Sequence, residues 1–398
     1  MSLHHQDVGL AVASEERPQA GNPPVADYAL AGLDRCWMPA LGRWSHIYHL
    51  DRRENPNESL PKSDVFYTLN VLLGMSRLRR QPDDLRLADI FERNVNLLLK
   101  LPVAKYALGM ALWSSAELRI ELPSPVQDHI DKVLADEEGW QKFRAQDLGL
   151  LLIGVVAQAK FGRPFLVALA HRLYQALVER YSGRSPLFCD GPTGYRGLFG
   201  TFATQTYLTL ACYHYGEFAG KLAPITIANA CTKRLIELQG PQGEWPWLLD
   251  ARKGCVLDFY EVYSVHQYGM APAFLELAER HGVIAARDAL VRGFEWMFGN
   301  NQLATSMWAP DLKLSIRSQV RAGELRTKNW RILRSATNAC LGQAGKRTDP
   351  RRIVLRRECR SYELGWILWS FGQRFDLPEL THHSVFTAKP APPSVAAR

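Results

Sequence analysis

The chain has 398 residues, 47% of them hydrophobic and 22% charged, which is ordinary globular material for one large domain or two smaller ones. Its longest apolar run, Leu148 to Ala157, is half of the ~20 residues a membrane helix needs, and Met1 to Pro24 has no apolar core, so neither a transmembrane span nor a secretory signal is expected. The formal net charge is +8 and it is concentrated: Asp311 to Arg360 holds 14 Lys/Arg and 4 Asp/Glu, a net +10, which leaves −2 for the rest.

That segment reads either as attraction to an anionic ligand or as a solvated Arg-rich surface. No nucleic-acid partner is expected. Seven cysteines, an odd number with no CxxC pair, suit reduced thiols in a cytoplasm. Residues 1–26 read as a disordered lead, 27–385 as one domain and 386–398 as a disordered tail.

Helical signals then follow in pairs. A helix begins near Ser63 and Asp64, good N-cap types, and runs to Leu78. Its partner spans 85–100, with an apolar stripe at Leu87, Ile90, Phe91, Val95 and Leu98. The next pairs are 103–118 with 125–135, 144–162 with 164–181, 202–218 with 224–239, and 261–282 with 285–299. The last is 329–342 with 357–375. One member of each pair is apolar nearly all round, as an inner helix must be, and the other is amphipathic. Inner helices start near positions 64, 104, 146, 203, 261 and 360. Six helical hairpins that bury their faces on one another close into an all-α (α/α)6 toroid. Small β-hairpin insertions are placed on its rim: Glu244 to Leu249 and Cys255 to Tyr260 flank the turn ARKG, and Leu312, Leu314 and Ile316 alternate with polar residues. The ~60 residues between Gly299 and Arg360 are long for a connection.

The stretch Gln239-Gly240-Pro241-Gln242-Gly243-Glu244-Trp245 has the order Gln, three residues, Gly, one residue, Trp. It resembles the QW motif of terpenoid cyclases and protein prenyltransferases, with KRLIEL as its lead. The resemblance implies an α/α toroid in which the Gln caps a helix and the Trp packs on it. Trp245 and Trp247 are therefore expected to be structural. The cyclases' DxDD motif and the prenyltransferases' zinc set are not evident.

At 100° per residue, Tyr260, Tyr263, His266, Gln267 and Met270 share an arc of about 120° at the start of an otherwise apolar helix. This is either a lined cavity or a hydrogen-bonded core histidine among tyrosines. Other inner helices also start with polar residues: Asp64 and Tyr67; Lys105 and Tyr106; Gln146 and Asp147; Thr204, Gln205 and Tyr207; Arg360, Tyr362 and Glu363. In a toroid these starts converge on one mouth, where helix dipoles favour an anion. Two loops should feed that mouth. One carries Cys189, Asp190, Tyr195 and Arg196; the other carries Trp308, Arg317, Arg321 and Lys328. Cys189 is either a nucleophile or a buried thiol. No P-loop, HExxH, paired Cys/His spacing, EF-hand or GxSxG elbow is present, and neither a metal nor another cofactor is expected.

Three readings follow. The toroid resembles that of many glycosidases, polysaccharide lyases and sugar epimerases, which implies a carbohydrate-active enzyme with an anionic poly- or oligosaccharide as ligand. A lyase or epimerase would use His266 and Tyr263 for proton transfer and Arg360 for a carboxylate. A hydrolase would use two carboxylates, Asp147 and Glu363. Tyr260, Gln267, Gln205, Tyr207, Tyr106, Lys105, Asp190, Arg196 and Tyr362 are the substrate-binding candidates. The second reading is a terpenoid-cyclase-like enzyme on an isoprenoid or polyprenyl phosphate, and the third a non-catalytic binding or scaffold protein.

Overall fold

The computed structural model describes residues 21–80, 86–324 and 327–387. Most of the expected lead and the end of the expected tail lie outside them. Residues 24–26 belong to the first turn of a helix, and a short helix runs over Ser384–Thr387.

Thirteen helices carry the architecture: α1 (Pro24–Cys36), α2 (Pro61–Met75), α3 (Leu87–Val95), α4 (Tyr106–Leu118), α5 (Ser124–Ala135), α6 (Ala145–Phe161), α7 (Val167–Tyr181), α8 (Phe202–Ala219), α9 (Leu222–Leu238), α10 (Ala271–Arg280), α11 (Ala286–Glu295), α12 (Lys328–Cys340) and α13 (Ser361–Phe371). The inner ring is α2, α4, α6, α8, α10 and α13, each packed on the next, with α13 closing on α2. The six expected inner starts are those observed, to within a few residues except at α10. Helices α3, α5, α7, α9 and α11 form the outer layer.

The sixth hairpin differs from expectation. The outer partner of α13 is α1, from the other end of the described chain. Helix α12, expected in that place, sits on the rim against strand Cys255–Asp258, where the Ser335 hydroxyl donates to Asp258 Oδ2 at 2.9 Å. Its sequence is amphipathic enough for an outer helix, but its buried face is Arg331, Ile332 and Ser335, a face made for carboxylates.

Inner helices approach closely because glycine leaves the room. A Cβ on Gly109 of α4 would lie 2.3–2.5 Å from the Leu150–Leu151 backbone of α6, and one on Gly74 of α2 would lie 2.2 Å from Gly365 O of α13. Backbone atoms cannot turn aside as a side chain does.

The strands lie where inner helices begin. Phe199–Thr201, Leu248–Asp250 and Cys255–Asp258 form one antiparallel sheet and run into α8. Val262–Tyr263, Ser318–Arg321 and Ile353–Arg356 form a second, and Glu358–Cys359 pairs with Ile47–His49 just before α13. The hairpin around ARKG is present in shortened form. Tyr260 and Tyr263 therefore precede the helix rather than lie on it. Residues His266–Met270 make a π turn, with Ala271 N–H bonded to His266 O. Its cause is Pro272, which has no N–H to offer Tyr268 O four residues back. The Ser370 hydroxyl donates to Gly269 O at 2.8 Å and ties the turn to α13.

Gln239 and Trp245 are structural. The Gln239 amide donates to Gly243 O and Ala289 O, both at 2.9 Å, binding the end of α9 to α11. Trp245 is fully buried against Phe202 and Phe274. Trp308, expected at the mouth, is buried among Tyr28, Tyr268 and Phe386.

Two stability predictions follow from this packing. Gly109→Ala should lose about 1–3 kcal/mol in urea unfolding through overpacking of α4 on α6; an unchanged midpoint would show that the helices part freely. Trp245→Ala should lose about 3–5 kcal/mol while the folded variant keeps its ligand affinity. A variant that melts with the wild type and loses ligand would overturn the structural assignment.

Candidate active site

Five of the six inner helices send side chains from their N-terminal halves into one cavity of about 240 Å³: Phe66 and Tyr67 from α2, Tyr106 from α4, Gln146 and Leu150 from α6, Ala203 and Tyr207 from α8, and Tyr362 from α13. His266 and Met270 of the π turn complete the ring. The rim supplies Thr201, Trp247, Tyr263, Arg317, Lys328 and Arg331. Among the described residues no Asp or Glu side chain lines this cavity.

Three cations reach it. The Arg317 guanidinium lies 5.2 Å from the Tyr263 ring centre and its Nη1 pairs with Glu363 Oε1 at 2.6 Å. Arg331 lies 4.6 Å from the Trp247 ring centre, donates to the Tyr263 hydroxyl at 3.4 Å and pairs with Glu261 at 3.0 Å. Lys328, one turn earlier on α12, stands 3.6 Å from Asp190 Oδ2. Trp247 is thus a cavity residue as well as a packing one.

Most of the other described arginines of this segment pair with acids. Arg360 makes a forked pair with Glu358 at 2.8 and 3.2 Å and donates to His46, so it neither pairs with Glu363 nor lines the cavity. Arg321 forks onto Asp258 at 2.6 and 3.0 Å, away from the mouth. Arg356 pairs at 3.0 Å with Glu261, which is fully buried and also accepts from the Ser318 hydroxyl. A +10 segment in sequence is in space largely a set of ion pairs, and the three cations that line the cavity, Arg317, Lys328 and Arg331, are each held by an acid as well.

His266 is 5% exposed, stacked between Phe202 at 4.5 Å and Tyr263 at 5.0 Å, and its Nδ1 has no hydrogen-bond partner among the described residues. Burial, then Arg317, lowers its pKa to about 3, so the imidazole is neutral at neutral pH. Burial raises the pKa of Tyr67, Tyr207, Tyr263 and Tyr362, and that of Tyr106 to about 12, so these phenols are protonated donors. Glu363 is buried beneath the cavity floor, and burial raises its pKa against the pull of Arg317 and Arg360.

Other candidates hold the site without facing it. Gln205 clamps the 185–190 loop, accepting from Phe188 N at 2.8 Å and donating to Phe188 O at 2.7 Å. Gln267 is buried and donates to Tyr263 O at 3.1 Å. Tyr260 is buried with Arg321 over its ring. Asp147 is a cap: its oxygens accept from Tyr106 N at 2.8 Å and Arg144 N at 3.3 Å, joining the starts of α4 and α6. Cys189 donates to Gly197 O, and burial lifts its pKa to about 11, which keeps the thiol protonated and unsuited to attack. Lys105, Asp190 and Arg196 line a cleft beside the cavity. No cluster of three or more His, Cys, Asp or Glu arranged for a metal occurs among the described residues. Arg331 was missed on sequence, although its i,i+3 spacing from Lys328 on one helix face was readable.

No family model matches the sequence, and no curated protein does. Solved structures do share its fold. A possible member of the GH105 family from Salmonella enterica superposes with a TM-score of 0.57 at 12% identity, over 90% of this chain and 95% of its own. Cellobiose 2-epimerase from Bacillus thermoamylovorans gives 0.59 at 9% identity, over 88% and 99%. An inactive variant of the α-1,6-mannanase GH76A of Salegentibacter sp., in complex with α-1,6-mannotriose, gives 0.54 at 10%, over 88% and 98%. At these identities and over nearly whole chains, the likeness shows that this chain has the α/α-toroid fold.

Proposed function

We propose that this chain is a carbohydrate-active enzyme that takes the proton next to the carboxylate of an acidic sugar, as a uronate lyase or epimerase does. The observation that carries the reading is a cavity ringed by His266, protonated tyrosines and the cations Arg317, Lys328 and Arg331, with no carboxylate in its described lining. Hydrolysis of a glycosidic bond needs two carboxyl groups across the scissile bond. Here Asp147 is committed to backbone N–H groups and Glu363 lies under Arg317. The toroid neighbours that handle oligosaccharides support a sugar ligand without fixing the reaction.

In this reading Arg331 and Lys328 bind the sugar carboxylate, with Arg317 behind them, and their charge makes the hydrogen on C5 acidic. Neutral His266 accepts that proton. In elimination the C5–H electron pair becomes the C4=C5 double bond, the C4–O bond breaks, and the leaving oxygen takes a proton from Tyr263. In epimerisation a proton returns to C5 from the opposite face. Six helix N-termini around the cavity add positive potential where the enolate charge develops.

The isoprenoid reading rests on Gln239 to Trp245, and none of Gln239, Gly243 or Trp245 lines the cavity. An open cavity of about 240 Å³ at the ring's centre also argues against a filled scaffold. A cytoplasmic location belongs to the same proposal and rests on the scattered, unbridged thiols.

The decisive measurement is incubation with uronate oligosaccharides in D2O. Deuterium at C5, or unsaturated sugar ends, should appear and should be lost in His266→Gln, with far-ultraviolet dichroism unchanged. New reducing ends without either product would establish a hydrolase and overturn the proposal.

Charge and pH give two more checks. Arg331→Ala and Lys328→Ala should each weaken an acidic ligand several-fold and flatten its salt dependence between 0.1 M and 1 M, where the Debye length falls from about 10 to about 3 Å. Equal affinity for acidic and methyl-esterified ligands would remove the anionic substrate. Because His266 has a lowered folded pKa, only the unfolded state takes up its proton as pH falls below about 6.5. Stability should therefore drop between pH 6.5 and 3, less steeply in His266→Gln, and the rate should show no His266 ionisation from pH 5 to 8. A rate inflection near 6.5 that vanishes in that variant would contradict a neutral, buried imidazole.

A further inference from the structure

Beside the central cavity lies a cleft of about 300 Å³ that shares Tyr106, Gln146 and Lys328 with it as a common wall. Its cations are Lys105, Arg144, Arg196 and Lys328, and its acids are Asp147 and Asp190. The acids are already satisfied. Asp147 accepts two backbone N–H groups, and Asp190 Oδ1 accepts from Thr201 N at 2.8 Å, Thr201 Oγ1 at 3.1 Å and Thr204 Oγ1 at 2.5 Å. Asp190 Oδ2 faces Lys328 alone at 3.6 Å. Lys105, Arg144 and Arg196 make no ion pair among the described residues. Arg144 and Arg196 also lie close enough to Lys328 to oppose its charge, and burial acts in the same direction on its pKa. Like charges are gathered here around hydrogen-bonded carboxylates, which is an arrangement that attracts an anion.

We infer that the cleft is a second subsite, which binds the carboxylate of the sugar unit next to the one in the central cavity, so that the substrate is a chain with acidic groups on neighbouring units. This rests on the reading of the central cavity as an acidic-sugar site. Lys328 is the hinge of the arrangement: it stands between the two compartments and serves both carboxylates. Together the compartments fall within the size range of small-ligand sites, about 300–1,000 Å³, of which the cavity alone falls short and the cleft alone meets only the lower edge. The selectivity this gives is for a run of charge along a chain, and a neutral glycan with one acidic end would gain nothing from the cleft.

The test is calorimetric titration with galacturonate, glucuronate and guluronate as monomers, dimers and trimers, free and methyl-esterified. Affinity should rise about tenfold from monomer to dimer, which is about 1.4 kcal/mol. The rise should vanish on esterification and in 1 M salt. It should also vanish in Arg196→Ala and in Lys105→Gln, both changes at surface positions that leave α4 and α6 their caps. A gain with length that survives esterification and both substitutions would overturn the subsite while leaving the central cavity's role intact. Failure of every monomer, dimer and trimer to bind would bring down the reading of the central cavity, and the subsite with it.

Discussion

Close backbone contact between inner helices is the constraint on which this molecule depends. Gly109 against Leu150 and Gly74 against Gly365 let two neighbouring pairs of the ring share their surfaces without side chains between them. A ring drawn in this far leaves one axial space, and the starts that face it stand close enough for side chains from five inner helices and from the π turn before α10 to meet. Asp64, Gln205, His266 and Glu363 at those starts are then withdrawn from water together. Burial of His266 and of the tyrosines, with the pKa shifts it causes, is thus a consequence of helix packing rather than of any local motif.

Charge is organised on the same principle. The 311–360 segment contributes cations, and the acids that hold them come from 244–261 and 358–363. Glu261 illustrates the balance: it is fully buried and lies between Arg331 and Arg356. Removing either arginine leaves a carboxylate with less compensation than burial demands. These pairs position α12 across the mouth and leave Lys328 and Arg331 pointing inward. The cavity cations are themselves held by Glu363, Glu261 and Asp190, none of which lines the cavity, and this pairing is why the net charge of the segment overstated the charge there.

Much of this was legible in the sequence. Long apolar runs alternating with amphipathic ones located all six inner helices, and the aromatic starts at Tyr67, Tyr106, Tyr207 and Tyr362 identified the cavity they line. What failed was information that lives in pairing across the chain. Arg360 and Glu363 have helix spacing, yet Glu358 and Arg317 supply better geometry to each. Periodicity drew Tyr260 and Tyr263 into a helix that Pro272 and a two-residue strand displace by a turn. Asp147 has the residue type of a general acid and the hydrogen bonds of a cap, and composition cannot separate the two. Helix α12 has the amphipathic form of an outer helix, and only its arginine-rich buried face marks it as a rim element.

The position of α1 bears on how the protein comes to exist. The last inner helix, α13, finds its outer cover in a helix that leaves the ribosome more than three hundred residues earlier. During synthesis α1 has no α13 to lie on, and α2 has one open flank. Local hairpins can form as they emerge, but closure of the circle waits for the C-terminal part of the chain. Until then Val25, Tyr28, Ala29 and Leu33 of α1, all buried in the finished ring, are exposed apolar surface for a chaperone to hold or for another nascent chain to meet. Emergence of α13, rather than the appearance of any earlier hairpin, is the moment at which the cavity can be assembled.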